Sequence, residues 1–150
     1  MEKKVVATNR KAFHDYTILE TIEAGIVLAG HEVKSLRGGK SSLTDGMVTF
    51  LDTQAVLENV YIPPYTHQST HVMDYNPRHK RKLLMHATEI HRLSARVKEK
   101  GLTVIPLELY FSPRNIAKVA IGLAKGKRSV DKRDVIRKRD LDRQMERDIS

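Results

Sequence analysis

The sequence predicts an α+β fold, a small antiparallel β-barrel with flanking helices, followed by a basic C-terminal tail. Three observations support it. Apolar and polar residues alternate in several short segments, apolar residues recur at helical spacing in two others, and the apolar pattern thins out beyond Gly126. A chain of 150 residues suits one domain with an appendage. We therefore expect a core over residues 1–126 and a tail over residues 127–150.

The first half of the core contains a predicted strand followed by a short helix. The strand covers residues 16–28, where apolar and polar positions alternate. The helix follows because apolar residues recur at i, i+4 and i+7, at Ala29, Val33 and Leu36. It should end at Gly38 and Gly39, which suit left-handed caps. This phase directs three charged side chains towards solvent: Glu32, Lys34 and Arg37.

A β-hairpin is predicted next. Its strands cover residues 47–51 and 55–62, and Asp52 and Thr53 form the turn. Residues 63–81 lose the pattern and contain three prolines, three histidines and the start of a basic cluster. A loop of this length is usually functional or mobile.

A second helix and two strands complete the predicted core. Ala87, Ile90, Leu93 and Val97 have helical spacing, and Gly101 ends that helix. In residues 102–111 the alternation places four apolar residues on one face: Ile105, Leu107, Leu109 and Phe111. Pro106 indicates an edge strand or a bulge there. Residues 116–124 should pair with this strand, giving five or six strands and two helices, as in an oligonucleotide-binding-type barrel.

The composition points to an acidic polymer as the partner. Lys and Arg number 27 against 18 Asp and Glu, a net charge of +9. The chain has no cysteine, and neither a signal-peptide pattern nor a run of about 20 apolar residues occurs. We expect a cytoplasmic protein that does not interact with membranes.

Motifs for catalysis and metal binding are incomplete. His31 and Glu32 begin a helical metalloprotease pattern, but Ser35 stands where the second histidine belongs. His67 and His71 lie in the long loop, where helical ligand geometry is not expected. We expect neither a catalytic residue, a metal site nor a cofactor.

The tail has a different pattern. Arg139, Arg143 and Arg147 recur at every fourth position, so a helix would align their guanidinium groups. The tail is too poor in apolar residues to form a core and should be disordered in isolation, becoming helical against an anionic surface. An ordinary charged helix or a frayed terminus is the alternative to RNA binding, and the composition does not decide between the two.

Several longer motifs resemble one bacterial family. They are NRKAFHDY (9–16), EAGIVLAGHEVKSLR (23–37), NPRHKRKLLM (76–85), KGLTVIPLELYF (100–111) and AKVAIGLAKGKRSVDKR (117–133). Their residues and their order resemble those of small protein B, the family that binds transfer-messenger RNA (tmRNA, or SsrA RNA). The resemblance covers essentially the whole chain.

The resemblance implies a function in trans-translation. The family's barrel binds the tRNA-like domain of tmRNA and enters stalled ribosomes with it, where the protein reaches the decoding centre. Its tail enters the empty mRNA channel and becomes helical there, and the incomplete protein is tagged. The resemblance leaves open whether elongation factor Tu, which accompanies aminoacyl-tmRNA, is a direct partner.

The resemblance also implies which residues bind RNA. Asn9, Glu23 and Leu84 match positions that contact the tRNA-like domain. The basic residues expected to join them are Lys34, Arg37, Lys82, Lys125, Lys127 and Arg128. The tail residues expected at the ribosome are Asp131, Lys132, Arg133, Arg139, Arg143 and Arg147.

Two positions depart from the family pattern, and two other functions stay open. Met47 and Val130 stand where the family commonly has residues that stack on ribosomal bases. A general single-strand-binding barrel would use charge and stacking without specificity. An RNA-processing enzyme would instead cleave the RNA that it binds.

Overall fold

The computed structural model describes residues 3–65, 75–99 and 101–127. In this part of the chain the elements are β1 Lys4–Thr8, α1 Arg10–Asp15, β2 Tyr16–Ile26, α2 Gly30–Arg37, β3 Met47–Leu51, β4 Gln54–Glu58, β5 Arg81–Leu84, α3 Ala87–Arg96, β6 Leu102–Phe111 and β7 Ala117–Gly126. The predicted α+β class is confirmed.

The strands form one antiparallel sheet that closes into a barrel. Its order is β1-β6-β3-β4-β5-β2-β7, and β7 also pairs with β6, so the ring passes through β6, β3, β4, β5, β2 and β7. Strand β1 extends this ring along the second half of β6. Closure pairs strand edges that would otherwise be exposed. Side chains of the inner face, including Leu57, Leu109 and Ile121, form the main core.

Three elements were absent from the sequence prediction. Strand β1 and helix α1 are short and lie in residues 1–15, for which no element was predicted. Strand β5 has four residues, and its first inward position holds Arg81 instead of an apolar side chain. The described part therefore has seven strands and three helices, where five or six strands and two helices were predicted.

The predicted apolar face of β6 is wrong, because a bulge divides the strand. The register against β7 shifts between Pro106 and Glu108, so Leu107 is the additional residue. Leu109 and Phe111 lie in the main core. Ile105 and Leu107 lie in a second cluster on the outer side, where the other buried residues are Ala12 and Ala124. The bulge alternative for Pro106 is confirmed, and the edge alternative is wrong, since β6 pairs on both sides.

Glu32 is buried, contrary to the predicted solvent-facing position. Its side chain is 2% exposed, and four partners satisfy it. Oε1 accepts the backbone N–H of Ala29, while Oε2 accepts from Arg81 Nε at 2.8 Å, His79 Nε2 at 2.9 Å and the Tyr75 hydroxyl at 3.0 Å. Burial alone would raise the pKa of Glu32, but the Ala29 and Arg81 hydrogen bonds hold that pKa below its usual range.

Arg81 is equally buried and anchors residues 75–79 to the barrel. Besides Glu32, its guanidinium donates to the carbonyl oxygens of Val60 at 2.8 Å and Pro77 at 2.9 Å, and to the Tyr75 hydroxyl at 3.0 Å. The Glu32–Arg81 ion pair and its hydrogen bonds thus join the first turn of α2, the start of β5 and the segment that begins at Tyr75. It positions α2, which carries Lys34 and Arg37 on its exposed side.

None of the helices in the described ranges is both long enough and apolar enough to cross a membrane.

We predict that Glu32→Gln lowers the free energy of unfolding by about 3–5 kcal/mol, because Arg81 is then buried without a counter-charge. Glu58→Gln is the matched control, since it removes a partly exposed ion pair with Lys80, for which the expected loss is below about 1 kcal/mol. Urea unfolding followed by circular dichroism measures both. Similar, small losses in the two variants would contradict the anchoring role of this pair.

Glu32 should also make stability depend on pH. Its pKa is lower in the folded than in the unfolded chain, so its contribution is present above the unfolded value and is lost as pH falls through the folded value. We predict a steeper acid-side loss of unfolding free energy in the parent chain than in Glu32→Gln, measured by urea unfolding at a series of pH values below about 5. Parallel curves for the two chains would rule out this contribution.

Candidate nucleic-acid interface

The outer face of the barrel carries a row of paired residues from four strands. Leu84 of β5 pairs with Gly25 of β2, Gly25 pairs with Lys118 of β7, and Lys118 pairs with Tyr110 of β6. Directly paired residues project to the same side of a sheet. Glu23 lies two residues before Gly25 and therefore shares this face.

Gly25 lets Leu84 lie across β2. A Cβ atom added to Gly25 would stand 3.1 Å from the Leu84 Cβ and 3.5 Å from its Cδ1. Leu84 itself is 55% exposed, a large apolar side chain facing outwards beside Glu23. Because Gly25 has no side chain, Leu84 has room to pack directly against the backbone of β2.

Two neighbours hold the Glu23 carboxylate in place. Lys118 Nζ donates to Oε1 at 2.6 Å, and the Tyr110 hydroxyl donates to Oε2. The hydrogen bond from Lys118, followed by that from Tyr110, lowers the pKa of Glu23 below its usual range. Burial and the Glu23 carboxylate raise the pKa of Tyr110. Glu23 therefore remains an anion, and Tyr110 remains a hydrogen-bond donor.

Lys3 completes this cluster from the N-terminal end. Its Nζ lies 4.7 Å from the centre of the Tyr110 ring and donates to Glu108 Oε1 at 3.1 Å. Tyr110 is 5% exposed, so the ring supports the surface instead of presenting a stacking platform. Two lysines and two carboxylates, in two ion pairs, thus lie near this tyrosine.

A groove of about 360 Å³ lies where the cluster meets α3. Its lining residues are Glu23, Gly25, Leu84, Met85, His86, Glu89 and Lys118. Its walls offer an exposed leucine, a fixed carboxylate and an ammonium group. We refer to this feature as the Glu23 groove.

The structure places the basic residues of the prediction at separate locations. Lys82 projects outwards from β5 like Leu84, two residues away. Lys34 and Arg37 lie on α2, where Lys34 Nζ is 5.8 Å from the centre of the Tyr65 ring and the Arg37 guanidinium is 4.2 Å from that of the Phe111 ring. The Glu23 groove thus contains two predicted residues, Glu23 and Leu84.

Asn9 lies inside the protein. Its side chain accepts the backbone N–H of Ala12 at 3.1 Å, which caps the start of α1, and donates to the carbonyl oxygens of Leu43 and Pro106. The residue is 4% exposed. Its amide is occupied in joining α1, the turn before β3 and β6, so direct RNA contact by Asn9 stays a prediction that its burial disfavours.

The remaining predicted residues lie at or beyond the end of β7. Lys125 is exposed and pairs with Thr17 and Leu102, and Lys127 is exposed immediately after the strand. The predicted residues that lie outside the described part are Arg128, Asp131, Lys132, Arg133, Arg139, Arg143 and Arg147, and Val130 lies there too. Met47 is described and is 41% exposed at the start of β3.

Sequence reasoning missed Lys118, Tyr110 and Gly25. The turn at residues 112–115 could have identified the first two, because a hairpin register that pairs Phe111 with Ala117 pairs Tyr110 with Lys118. Their proximity to Glu23 depends on the pairing of β2 with β7, which joins strands about 100 residues apart. His67 and His71 lie outside the described ranges. Within those ranges, no three acidic or histidine side chains are grouped to hold a metal ion.

The comparisons with known proteins agree with each other. The family model described as SmpB protein matches residues 6–150. The SsrA-binding protein of Sulfurihydrogenibium sp. (strain YO3AOP1) is 52% identical over 98% of this chain and 95% of its own. The SsrA-binding protein of Thermus thermophilus is 50% identical over 94% of this chain and 96% of its own.

A solved structure is also similar. It is described as "tmRNA-SmpB: a journey to the center of the bacterial ribosome", and one of its chains is 53% identical to this one with a TM-score of 0.68, over 80% of this chain and 82% of that chain. Sequence and fold therefore point to the same group, and the chain belongs to the SmpB protein family.

Proposed function

We propose that this protein binds the tRNA-like domain of tmRNA through the Glu23 groove and delivers it to stalled ribosomes for trans-translation. Its relatives are SsrA-binding proteins, and the solved structure that it resembles is described as tmRNA and SmpB at the bacterial ribosome. The single observation that carries the site assignment is that Glu23, Leu84 and Lys118 share one open groove.

The groove's chemistry suits structured RNA better than phosphate alone. A carboxylate repels phosphate, but it accepts hydrogen bonds from base edges and from 2′-hydroxyl groups. Leu84 offers an apolar surface to an unstacked base. Lys118 lines the same groove, so its charge favours the RNA phosphate next to that base. Lysine thereby offsets the repulsion that Glu23 would otherwise exert.

The other basic residues supply general attraction in this proposal. Lys34, Arg37, Lys82, Lys125 and Lys127 are exposed, and their charge favours phosphate without reading sequence. Arg128 extends the same series. Asn9 acts by holding α1 against β6 and the turn before β3.

The tail acts on the ribosome in this proposal. Residues 127–150 enter the empty mRNA channel, become helical there and probe the decoding centre, with Asp131, Lys132 and Arg133 followed by the arginines at 139, 143 and 147. The division at residue 126 thus separates tmRNA binding from ribosome sensing. The protein acts in the cytoplasm and catalyses no reaction, and elongation factor Tu meets it through aminoacyl-tmRNA.

We predict that Leu84→Ala weakens binding of the tRNA-like domain about tenfold or more, because covering one leucine contributes roughly 1.5 kcal/mol or more. Leu51→Ala is the matched control, since Leu51 is 60% exposed at the β3–β4 turn and lies outside the groove. Fluorescence anisotropy at one fixed salt concentration measures both. Equal affinities of the two variants would remove Leu84 from the interface.

We predict that a chain ending at Gly126 binds tmRNA within about tenfold of the full chain but does not support tagging, since the groove is retained while Lys127, Arg128 and the rest of the tail are lost. Electrophoretic mobility shift measures binding, and a reconstituted translation system with a stalled ribosome measures tagging. Full tagging by the shortened chain would refute the role of the tail. Loss of binding would refute the division at residue 126.

A further inference from the structure

We propose that the Glu23 groove reads one unpaired guanine, whose N1–H and N2–H groups donate to the two oxygens of Glu23 while the base lies against Leu84. The proposal rests on the proposed function and adds the chemical identity of the base at the centre of the interface.

Glu23 retains free hydrogen-bonding capacity. A carboxylate has about four acceptor positions, two on each oxygen. Lys118 occupies one on Oε1 and Tyr110 one on Oε2, so each oxygen retains one. The Glu23 side chain is 54% exposed, which leaves these positions open to a ligand. The site can therefore accept two adjacent donors from one partner.

Among the four RNA bases, guanine alone presents that pattern. Its Watson–Crick edge places the N1–H and N2–H donors side by side. Adenine and cytosine each place an acceptor nitrogen next to their amino group, and uracil flanks its single N–H with two carbonyl oxygens. A carboxylate repels those acceptors, so the same geometry that accepts guanine disfavours the other bases.

The surroundings fix the carboxylate before any ligand arrives. Lys118 and Tyr110 restrain Glu23 from two sides, and their hydrogen bonds keep it ionised and unable to donate. Charge-assisted hydrogen bonds are stronger than neutral ones. The groove then needs little reorganisation to form them.

The use of the Watson–Crick edge requires an unpaired base. The Watson–Crick edge is available to a protein once the base leaves its helix, and such bases are commonly read at that edge while packed on an apolar or aromatic side chain. The groove's volume of about 360 Å³ lies within the range of sites for small ligands, about 300–1,000 Å³.

A second carboxylate lines the groove and must be distinguished. Glu89 Oε1 accepts the backbone N–H of His86 at 3.1 Å, in the first turn of α3. That carboxylate serves the helix start, whereas Glu23 lies two residues before Gly25 on the same face of β2, and Leu84 lies across Gly25. Glu23 is therefore the one placed to meet a base resting on Leu84.

The test pairs protein variants with single-atom-group changes in the RNA. Each guanine of the tRNA-like domain that lies outside Watson–Crick pairs is replaced in turn by inosine, which lacks the N2 amino group. Full-length parent protein and Glu23→Gln are titrated against each RNA at one salt concentration. Glu20→Gln is the matched control, since Glu20 lies on the same strand and also loses an ion pair, with Arg92 at 2.7 Å, but lies outside the groove.

One guanine should stand out. Its replacement weakens binding by the parent and by Glu20→Gln about ten- to a hundredfold, and weakens binding by Glu23→Gln less than about threefold. A scan in which no inosine position couples to Glu23 would overturn the proposal. Glu89→Gln is titrated against the same RNAs, and an inosine effect that disappears in Glu89→Gln but persists in Glu23→Gln would overturn the proposal as well. RNAs in which one unpaired cytosine lacks its amino group are also titrated, and an effect of such a change that disappears in Glu23→Gln would likewise overturn it.

A different result would refute the proposed function. If parent protein binds the unmodified tRNA-like domain no more tightly than unrelated single-stranded RNA, tmRNA recognition itself is wrong. Tight, specific parent binding with a flat inosine scan refutes the guanine assignment alone.

Discussion

The pairing of β2 with both β5 and β7 is the constraint on which the fold and the proposed site depend. It completes the ring of strands, and in the same step it aligns Leu84, Gly25 and Lys118 in one row. A shift of one residue would turn Glu23 towards the core and Ala24 towards solvent, since side chains alternate along a strand. The burial of Ile22, Ala24 and Ile26 makes that shift unfavourable, so the hydrophobic core fixes the geometry of a polar site.

Two carboxylates in this basic protein show how environment determines what an acid can do. Glu32 is enclosed by Arg81, His79, Tyr75 and a backbone amide, so its hydrogen-bonding capacity serves the fold. Glu23 has two partners and stays half exposed, so it retains capacity for a ligand. Both have lowered pKa values. The difference between scaffold and site therefore lies in exposure and unused acceptor positions, and both residues stay charged.

Patterning alone predicted most of the regular structure and less of the site. The strands over residues 102–111 and 116–124 and the hairpin at residues 47–62 follow from alternation and turn residues, because both depend on local sequence. Strand β5 was missed since its first inward position is Arg81, whose burial depends on a partner 49 residues away. The same limit applies to Glu32, which a helical phase predicts to be exposed. Family resemblance indicated Glu23 and Leu84, while Lys118 required the register of distant strands.

The central claim, that RNA occupies the Glu23 groove, is tested most directly at the Leu84 methyl groups. In a chain with isotope-labelled leucine methyls, NMR spectra are recorded as the tRNA-like domain is added to saturation. The methyl resonances of Leu84 should move strongly while those of Leu51, exposed outside the groove, stay in place. Unchanged Leu84 resonances at saturation would place the RNA elsewhere on the barrel and contradict the assignment.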